Sequence, residues 1–431
     1  MSKAIPILRK APNRIVGSAD GRHLVWNPAR VAFMDVDAAL FQAAQSFDPA
    51  GEAEPPADIV ALLDCGLLEE DSGDREVHGV VMQAVGYRLV LTEACNFVCP
   101  DCFSTTALKR QGQRLRSMDL DTMDRVIDQI ASQHPFGTPV FYVHFFGGEP
   151  LLRIAVIRHA VQRMTQLHHA GKLARPSFGI TTNGSQMNDE ILECLGTYAM
   201  RVGVSVEITP QVHDVIRRTT QGLPTFDLVR ENFFRLRDHG LDPYILVTPY
   251  EHCIDDFPAR LDALLAMFGT TRVTINTPFD MNTLGWTVTP GYAAMLVECE
   301  RLCLARGVEV DSALTGIVSA IAEGRRRLSP QAIYGNKVLV AVDPEGRFSS
   351  SPQLWTGRLV LGQNLQANPA MLSSFQPECF RCDAQFVCGG PNREFQFRTG
   401  LRLDERKCAF FLEAIDAIGK NLDAFVEQVG S

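Results

Sequence analysis

No stretch of this sequence approaches the roughly 18 consecutive apolar residues that a membrane-spanning helix requires, so no membrane partner is expected. The opening residues, MSKAIPILRKAPNRIVG, lack the apolar heart of a secretory signal. Positive charge is short, with 41 Lys and Arg against 50 Asp and Glu and a net charge of −9. That balance speaks against nucleic acid or an anionic membrane as the main partner. No repeat of solenoid period and no low-complexity tail are present, which removes stacked-repeat architectures. A chain without an export signal is expected in the cytoplasm. There its 12 cysteines read as metal ligands, catalysts or core residues before they read as disulfides.

What is present is ordinary globular material, 46% apolar and 21% charged over 431 residues. This length predicts two or three domains, or one large α/β barrel with attachments. Residues 1–82 form a first unit. RIVGSADGRHLVWNP predicts a hairpin with Asp20-Gly21 at its turn, and DAALFQAAQSF and PADIVALLDCGLL predict two short helices. We expect a small winged-helix-like module.

From Tyr87 the pattern alternates. The strands YRLVLT, VFYVHFF, SFGITT, RVGVSVEI, PYILVTPY and RVTINTP are each followed by an amphipathic helix. Six βα units in succession predict an α/β fold, a partial (β/α)6 barrel over 83–310. Functional residues of such barrels gather at the carboxyl ends of strands. A cysteine triplet follows the first strand, Gly147-Gly148-Glu149-Pro150 the second and Asn183-Gly184 the third, while Ser205 and Glu207 close the fourth. Beyond about residue 330 the alternation fades. KVLVAVDPEGRFSS predicts a hairpin turning at 344–346, and a cysteine-rich loop and a final helix complete an extension over 311–431.

Cys95, Cys99 and Cys102, spaced C-x3-C-x2-C, place three thiolates on one loop. Structural zinc takes four ligands, and neither Cys nor His supplies a fourth within the thirty residues after Cys102. Three thiolates leave one metal position open, which suits a cubane iron–sulfur cluster with a labile iron. Three buried structural cysteines are the bland alternative.

This triplet after the first barrel strand resembles the radical S-adenosylmethionine (SAM) superfamily. There the open iron binds S-adenosylmethionine, and reduction yields a 5′-deoxyadenosyl radical that abstracts hydrogen. The resemblance implies roles for the later motifs. Gly147, Gly148 and Glu149 resemble the turn that receives the cofactor's amino group; glycines let a ligand approach the backbone, and a carboxylate pairs with an ammonium. Asn183 lies in the third-strand segment beside the ribose. Ser205 falls near the ribose hydroxyls and Arg217, in HDVIR, near the cofactor carboxylate. Glu207 and Asp101 depart from the common pattern at cofactor positions, Glu207 where aspartate is usual and Asp101 where an aromatic is.

Cys379, Cys382, Cys388 and Cys408 form C-x2-C-x5-C-x19-C. By spacing alone, four thiolates suit tetrahedral zinc or a fully ligated cubane equally. The set resembles the SPASM extension of peptide-modifying radical enzymes, which normally carries two auxiliary clusters. Asn392, Ser351 and Ala332 stand where ligands of one of these would be, so the resemblance implies a single auxiliary four-iron–four-sulfur cluster. The segment FSSSPQLW carries no acid, which disfavours sulfatase maturation.

Cys65, Cys194, Cys253, Cys299 and Cys303 are expected to be buried and inert. His144 is expected to face the barrel interior and His213 to pack. The segment ADIVALLDCGLLEED resembles leader-peptide recognition modules, which bind a peptide as an added strand. Together these resemblances imply a maturase acting on a ribosomally made precursor peptide, by crosslinking, thioether formation, epimerisation or oxidation, with a flavodoxin- or ferredoxin-type electron donor. The alternatives are a radical dehydrogenase or mutase acting on a small molecule, a sulfatase-type maturase, and a zinc-stabilised scaffold without catalysis.

Overall fold

The structure is a computed structural model. It describes residues 8–47 except 11–12, then 59–70, then 83–349 except 101, 103, 111, 252–253, 255, 281–284, 325–331 and 335–336. In the tail it describes 376, 378–379, 382–390, 395–396, 399–422 and 425.

The first barrel strand, Gln83–Thr92, shows why a parallel sheet forms. Tyr87, Leu89 and Leu91 alternate onto one face and are wholly buried in the main core. Met123, Val126, Ile127 and Ile130 of the helix Leu120–Gln133 belong to the same core. That helix starts where its pattern says it should, with the Asp119 carboxylate accepting from the Thr122 amide. Gly86, Arg88 and Val90 alternate onto the opposite, lumen face. A Cβ on Gly86 would press on Tyr142 and Leu339, and Val90 packs with Leu108, Leu115 and Phe146 in a separate small cluster.

Phe141–Gly147, Pro176–Thr182, Arg201–Ser205, Tyr244–Val247 and Arg272–Ile275 follow, each parallel to the strand before it. These are the second to sixth expected strands. Two further strands were not anticipated as part of the barrel. Glu309–Asp311 extends the sheet beyond the sixth strand. Lys337–Val342 lies parallel to the first strand on its other side. The expected hairpin at 344–346 exists, with Phe348–Ser349 returning antiparallel and Gly346 at φ 79°. Its first strand nevertheless covers what would be an open edge of the barrel sheet. The resulting ten-stranded sheet does not close on itself among the described residues.

Ahead of the barrel, Arg14–Ala19, Arg22–Asn27 and Ala32–Asp37 make a three-stranded antiparallel sheet. The expected turn is there, with Asp20 and Gly21 both at positive φ, the geometry that matches strand twist in a two-residue hairpin. The third strand was not anticipated. Helices Ala38–Ser46 and Ile59–Asp64 are the expected pair, and Val25, Val36, Ala44, Leu62 and Leu67 form the small core beneath them.

This sheet rests on the end of the chain. Gly419, in the helix Glu405–Lys420, lies so close to Val16 and Phe33 that a Cβ there would crowd both. Arg14 pairs with Asp416 at 2.9 Å and with Asp383 at 3.4 Å. The fully buried Trp26 donates its Nε1–H to the Asp383 carbonyl at 2.7 Å.

Trp26→Phe keeps an aromatic ring but strands that carbonyl. We expect a loss of about 1–2 kcal/mol, seen as a lower urea midpoint. An unchanged midpoint would show that the contact contributes nothing to stability.

Candidate functional site

The cysteine loop leaves the first strand at Glu93, which is completely buried. Its carboxylate accepts from the Arg116 amide at 2.7 Å and pairs with the Arg116 guanidinium at 2.5 Å. Arg116 also faces Asp343 and Glu345, and Arg347 binds both of those acids. The base of the loop is therefore fastened to the hairpin turn at 343–347. Further along, Phe97–Val98 pairs antiparallel with Arg218–Thr219, and the Thr220 amide donates to the Asn96 carbonyl. The loop is thus held at one end by the C-terminal hairpin and at the other by the segment after the fourth strand.

Cys95, Cys99 and Cys102 are partly exposed on this loop, and none of the described cysteines is in a disulfide. The Phe97 amide donates to Cys95 Sγ at 3.4 Å, and Asn183 Nδ2 donates to the same sulfur at 3.6 Å. Burial first, then the Glu149 carboxylate and the other two thiols, push the Cys95 thiol up to about 12. Such a donor set holds thiolates only when a cationic centre compensates them.

The glycines of the second strand end have a reason in the fold. Gly147 has φ 152°, and a Cβ there would overlap the Thr92 carbonyl oxygen. A Cβ on Gly148 would overlap the Ala94 carbonyl and crowd Thr105. The sequence reading attributed these glycines to ligand approach, but the structure shows that the cysteine loop itself occupies the space. Glu149, wholly buried, accepts from Leu151 N at 3.0 Å, Thr182 Oγ1 at 2.7 Å and Asn183 N at 2.7 Å. Burial lifts its pKa to about 7 against the pull of those three donors. The carboxylate locks the second strand end to the third.

Asn183 bridges further, donating to Asn96 Oδ1 at 2.9 Å and accepting from the Ser185 amide at 2.9 Å. Ser205 is half-buried at the end of the fourth strand. Glu207, fully buried, accepts from Arg217 Nε at 2.7 Å. Burial works against the charge of Arg217, but Glu207 and then the Cys99 thiol outweigh it and raise its pKa. The expected cofactor residues Gly147, Gly148, Glu149, Asn183, Ser205, Glu207 and Arg217 thus surround one mouth, with Glu207 acting through Arg217. Asp101 lies outside the described residues. His213 packs as expected, accepting from the Glu207 amide through Nδ1 at 3.3 Å. Glu93, Arg116, Asn96 and Thr182 were missed. An acid immediately before the triplet was the available signal for Glu93; the others carry none.

The second set also comes together. Cys379 and Cys388 are buried, and Cys382 and Cys408 are partly so. Burial, then Cys388 and Cys382, push the Cys408 thiol up to about 12, with Cys379 adding to them and the Lys407 ammonium opposing. Lys407, itself buried, donates to the Gly390 carbonyl at 2.8 Å. Asn392 and Ser351 lie outside the described residues. Among the described residues no three Cys, His, Asp or Glu side chains are grouped as ligands of one bare metal ion. One zinc ion would draw its sulfurs to about 4 Å from each other, whereas a four-iron cube gives each sulfur its own corner. Both sets are made of thiol donors alone, the chemistry that suits an iron–sulfur cluster, with one iron position left open in the three-cysteine set.

Gly148→Ala should displace the Ala94–Cys95 backbone. We expect the reconstituted variant to cleave S-adenosylmethionine roughly 100-fold more slowly, measured as 5′-deoxyadenosine released. Wild-type rates would remove the packing role assigned to this glycine.

Comparison with known proteins agrees with this geometry. Residues 89–263 match the model of the radical SAM superfamily. A probable GTP 3′,8-cyclase of Halobacterium salinarum is 29% identical over 208 residues, 47% of this chain and 51% of that protein. The chain thus spans about half the length of that relative. The mycofactocin maturase MftC of Mycobacterium ulcerans is 26% identical over 343 residues, 73% of this chain and 84% of the relative. Among solved structures, anSMEcpe with bound AdoMet and Cp18Cys peptide superposes with a TM-score of 0.62 at 12% identity, covering 80% of this chain and 99% of that one. That likeness shows a shared fold. Residues 89–263 of this chain are thus similar to the radical SAM superfamily.

Proposed function

We propose that the chain is a radical S-adenosylmethionine enzyme that modifies a ribosomally made precursor peptide. The observation that carries this reading is the joining of three parts. A three-cysteine loop sits at the mouth of the barrel, the tail carries a four-cysteine set, and an N-terminal sheet rests directly on the second set through Trp26 and Asp383. We read these as three domains, 1–82, 83–310 and 311–431, the first a winged-helix-like module that takes a peptide as an added strand and the last SPASM-like. MftC is named a maturase, and the anSMEcpe structure holds a peptide. Both lend support to a peptide substrate.

Cys95, Cys99 and Cys102 would hold the active cluster, and Cys379, Cys382, Cys388 and Cys408 a single auxiliary cluster. When bound, the active cluster and S-adenosylmethionine supply a 5′-deoxyadenosyl radical that abstracts a hydrogen atom. The chain's own residues bind and orient. Arg217, held by Glu207 beside Cys99, presents a fixed guanidinium to a carboxylate. Glu149 keeps the glycine turn and Asn183 in register with the cysteine loop. Ser205, and Asp101 on the loop, complete the cofactor contacts in this reading. The electron donor is of the flavodoxin or ferredoxin type by analogy, in a cytoplasmic setting. No helix among the described residues is long and apolar enough to cross a membrane.

The cyclase relative gives a small-molecule reaction a footing, over half of its length only. One experiment separates the readings. Anaerobically reconstituted protein should carry about eight irons per chain, falling to about four when Cys95, Cys99 and Cys102 are all Ala. Given S-adenosylmethionine, dithionite and a candidate precursor peptide, the wild type should yield 5′-deoxyadenosine and a peptide of altered mass or altered stereochemistry. Zinc in place of iron would end the enzyme reading. Vigorous cofactor cleavage that leaves the peptide untouched would end the peptide one.

A further inference from the structure

Two buried carboxylates at the barrel mouth are paired with arginines: Glu93 with Arg116, and Glu207 with Arg217. Arg88 breaks that pattern. It sits on the lumen face of the first strand, opposite His144 in register. Its guanidinium carbon lies over the Phe146 ring at 5.0 Å, so the head group leans toward the residue just before Gly147, beneath the cofactor turn. Its Nε is buried and has no hydrogen-bond partner. Among the described residues, the Tyr142 and Tyr244 phenols are the groups that act on it, and no carboxylate is among them.

The surroundings keep it that way. Tyr142 Oη lies 2.8 Å from His144 Nδ1, and His144 Nε2 lies 2.9 Å from Thr181 Oγ1. Burial, then Arg88 itself, push the His144 pKa down to about 3, so the ring is neutral and adds no second cation. Gly179 has no side chain because Tyr142 Oη stands where its Cβ would be. The acids farther round the sheet, Glu309 and Asp311, both face Arg272, and Glu309 is bound by it. A cation held in the interior without a counter-ion is costly, and one aromatic face offsets only part of that cost. Proteins keep such a cost chiefly where a ligand relieves it.

We propose that Arg88, with the Tyr142 hydroxyl beside it, forms a carboxylate-binding subsite in the barrel lumen that seats an acidic group of the substrate below the cofactor. A planar guanidinium fork matches a carboxylate two-to-two, and a single unopposed cation balances a single negative charge. That the acid belongs to a peptide rests on the peptide-maturase reading; the subsite itself does not. The group is either a chain terminus or an Asp or Glu side chain. Its placement under the glycine turn would fix which substrate hydrogen faces the mouth.

The test uses reconstituted holoenzyme and calorimetric titration, with no peptide turnover needed. Hippurate stands for a terminal carboxylate, N-acetylglutamate diamide's singly acidic counterpart, N-acetylglutamic acid α-amide, for a side chain, and hippuramide and inorganic phosphate are controls. We expect at least one of the two acids to bind at millimolar concentration, and to bind at least about tenfold more weakly to Arg88→Gln. Arg88→Lys should recover part of the loss, since it keeps the charge without the fork. Hippuramide should not bind. Preference between the two acids assigns the source, and either preference supports the subsite. Because an unpaired buried charge is removed, Arg88→Gln should unfold at the same temperature as wild type or higher, an outcome that a structural strut would not give. The proposal is overturned if neither acid binds, if both bind the variant as they bind wild type, if phosphate binds in their place, or if Arg88→Gln is strongly destabilised. A failure of the peptide assay alone leaves all of these results readable.

Discussion

The backbone of the cysteine loop lies directly on the backbone of Gly147 and Gly148, with no room for a Cβ between them. The site depends on that contact. It sets the height of Cys95 above the second strand and brings the Thr92 and Ala94 carbonyls against the turn, where they take the Gly148 and Glu149 amides at 2.7 and 2.9 Å. Glu149 then carries the register on to the third strand through Thr182 and Asn183, and Asn183 returns to the Cys95 sulfur. Three strand ends, far apart in sequence, become one rigid rim. Rigidity matters because radical chemistry tolerates little error in the placement of reacting atoms.

Electrostatics divide the barrel into two regimes. Around the mouth, the buried acids Glu93 and Glu207 each meet an arginine, and each ion pair fixes a loop as well as a charge. Glu93 and Arg116 bind the start of the cysteine loop to the hairpin at 343–347, while Glu207 aims Arg217 at the region of Cys99. Deeper in the lumen the matching stops at Arg88, and there the low-dielectric interior makes an unpaired cation a demand for a ligand rather than a support for the fold. The same physics that makes a pair structural makes a lone charge functional.

The chain's two ends meet behind the barrel. The N-terminal sheet packs on the final helix through Val16, Phe33 and Gly419, and Trp26 reaches the residue after Cys382. A peptide gripped by that sheet would lie against the wall of the second cysteine set. This arrangement joins the two terminal units into one packed layer.

Local chemistry was enough to read much of this from the residues. Alternating apolar positions placed the six principal strands and their helices, because the periods 2 and 3.6 are properties of neighbouring residues. Asp20-Gly21 marked its hairpin for the same reason, and the spacing of Cys95, Cys99 and Cys102 marked a metal loop. Partnership between distant segments was not legible. Nothing near Lys337 says that its strand will lie beside Gln83, nothing in Gly148 says that Ala94 will press on it, and nothing in Arg88 says that no acid will reach it. Those facts arise only when strands are laid side by side and a lumen is enclosed, since pairing and exclusion of water belong to the assembled sheet. The sequence by itself determined which chemistry the chain carries; the tertiary structure decided which groups are locked to one another and which one is left waiting for a partner.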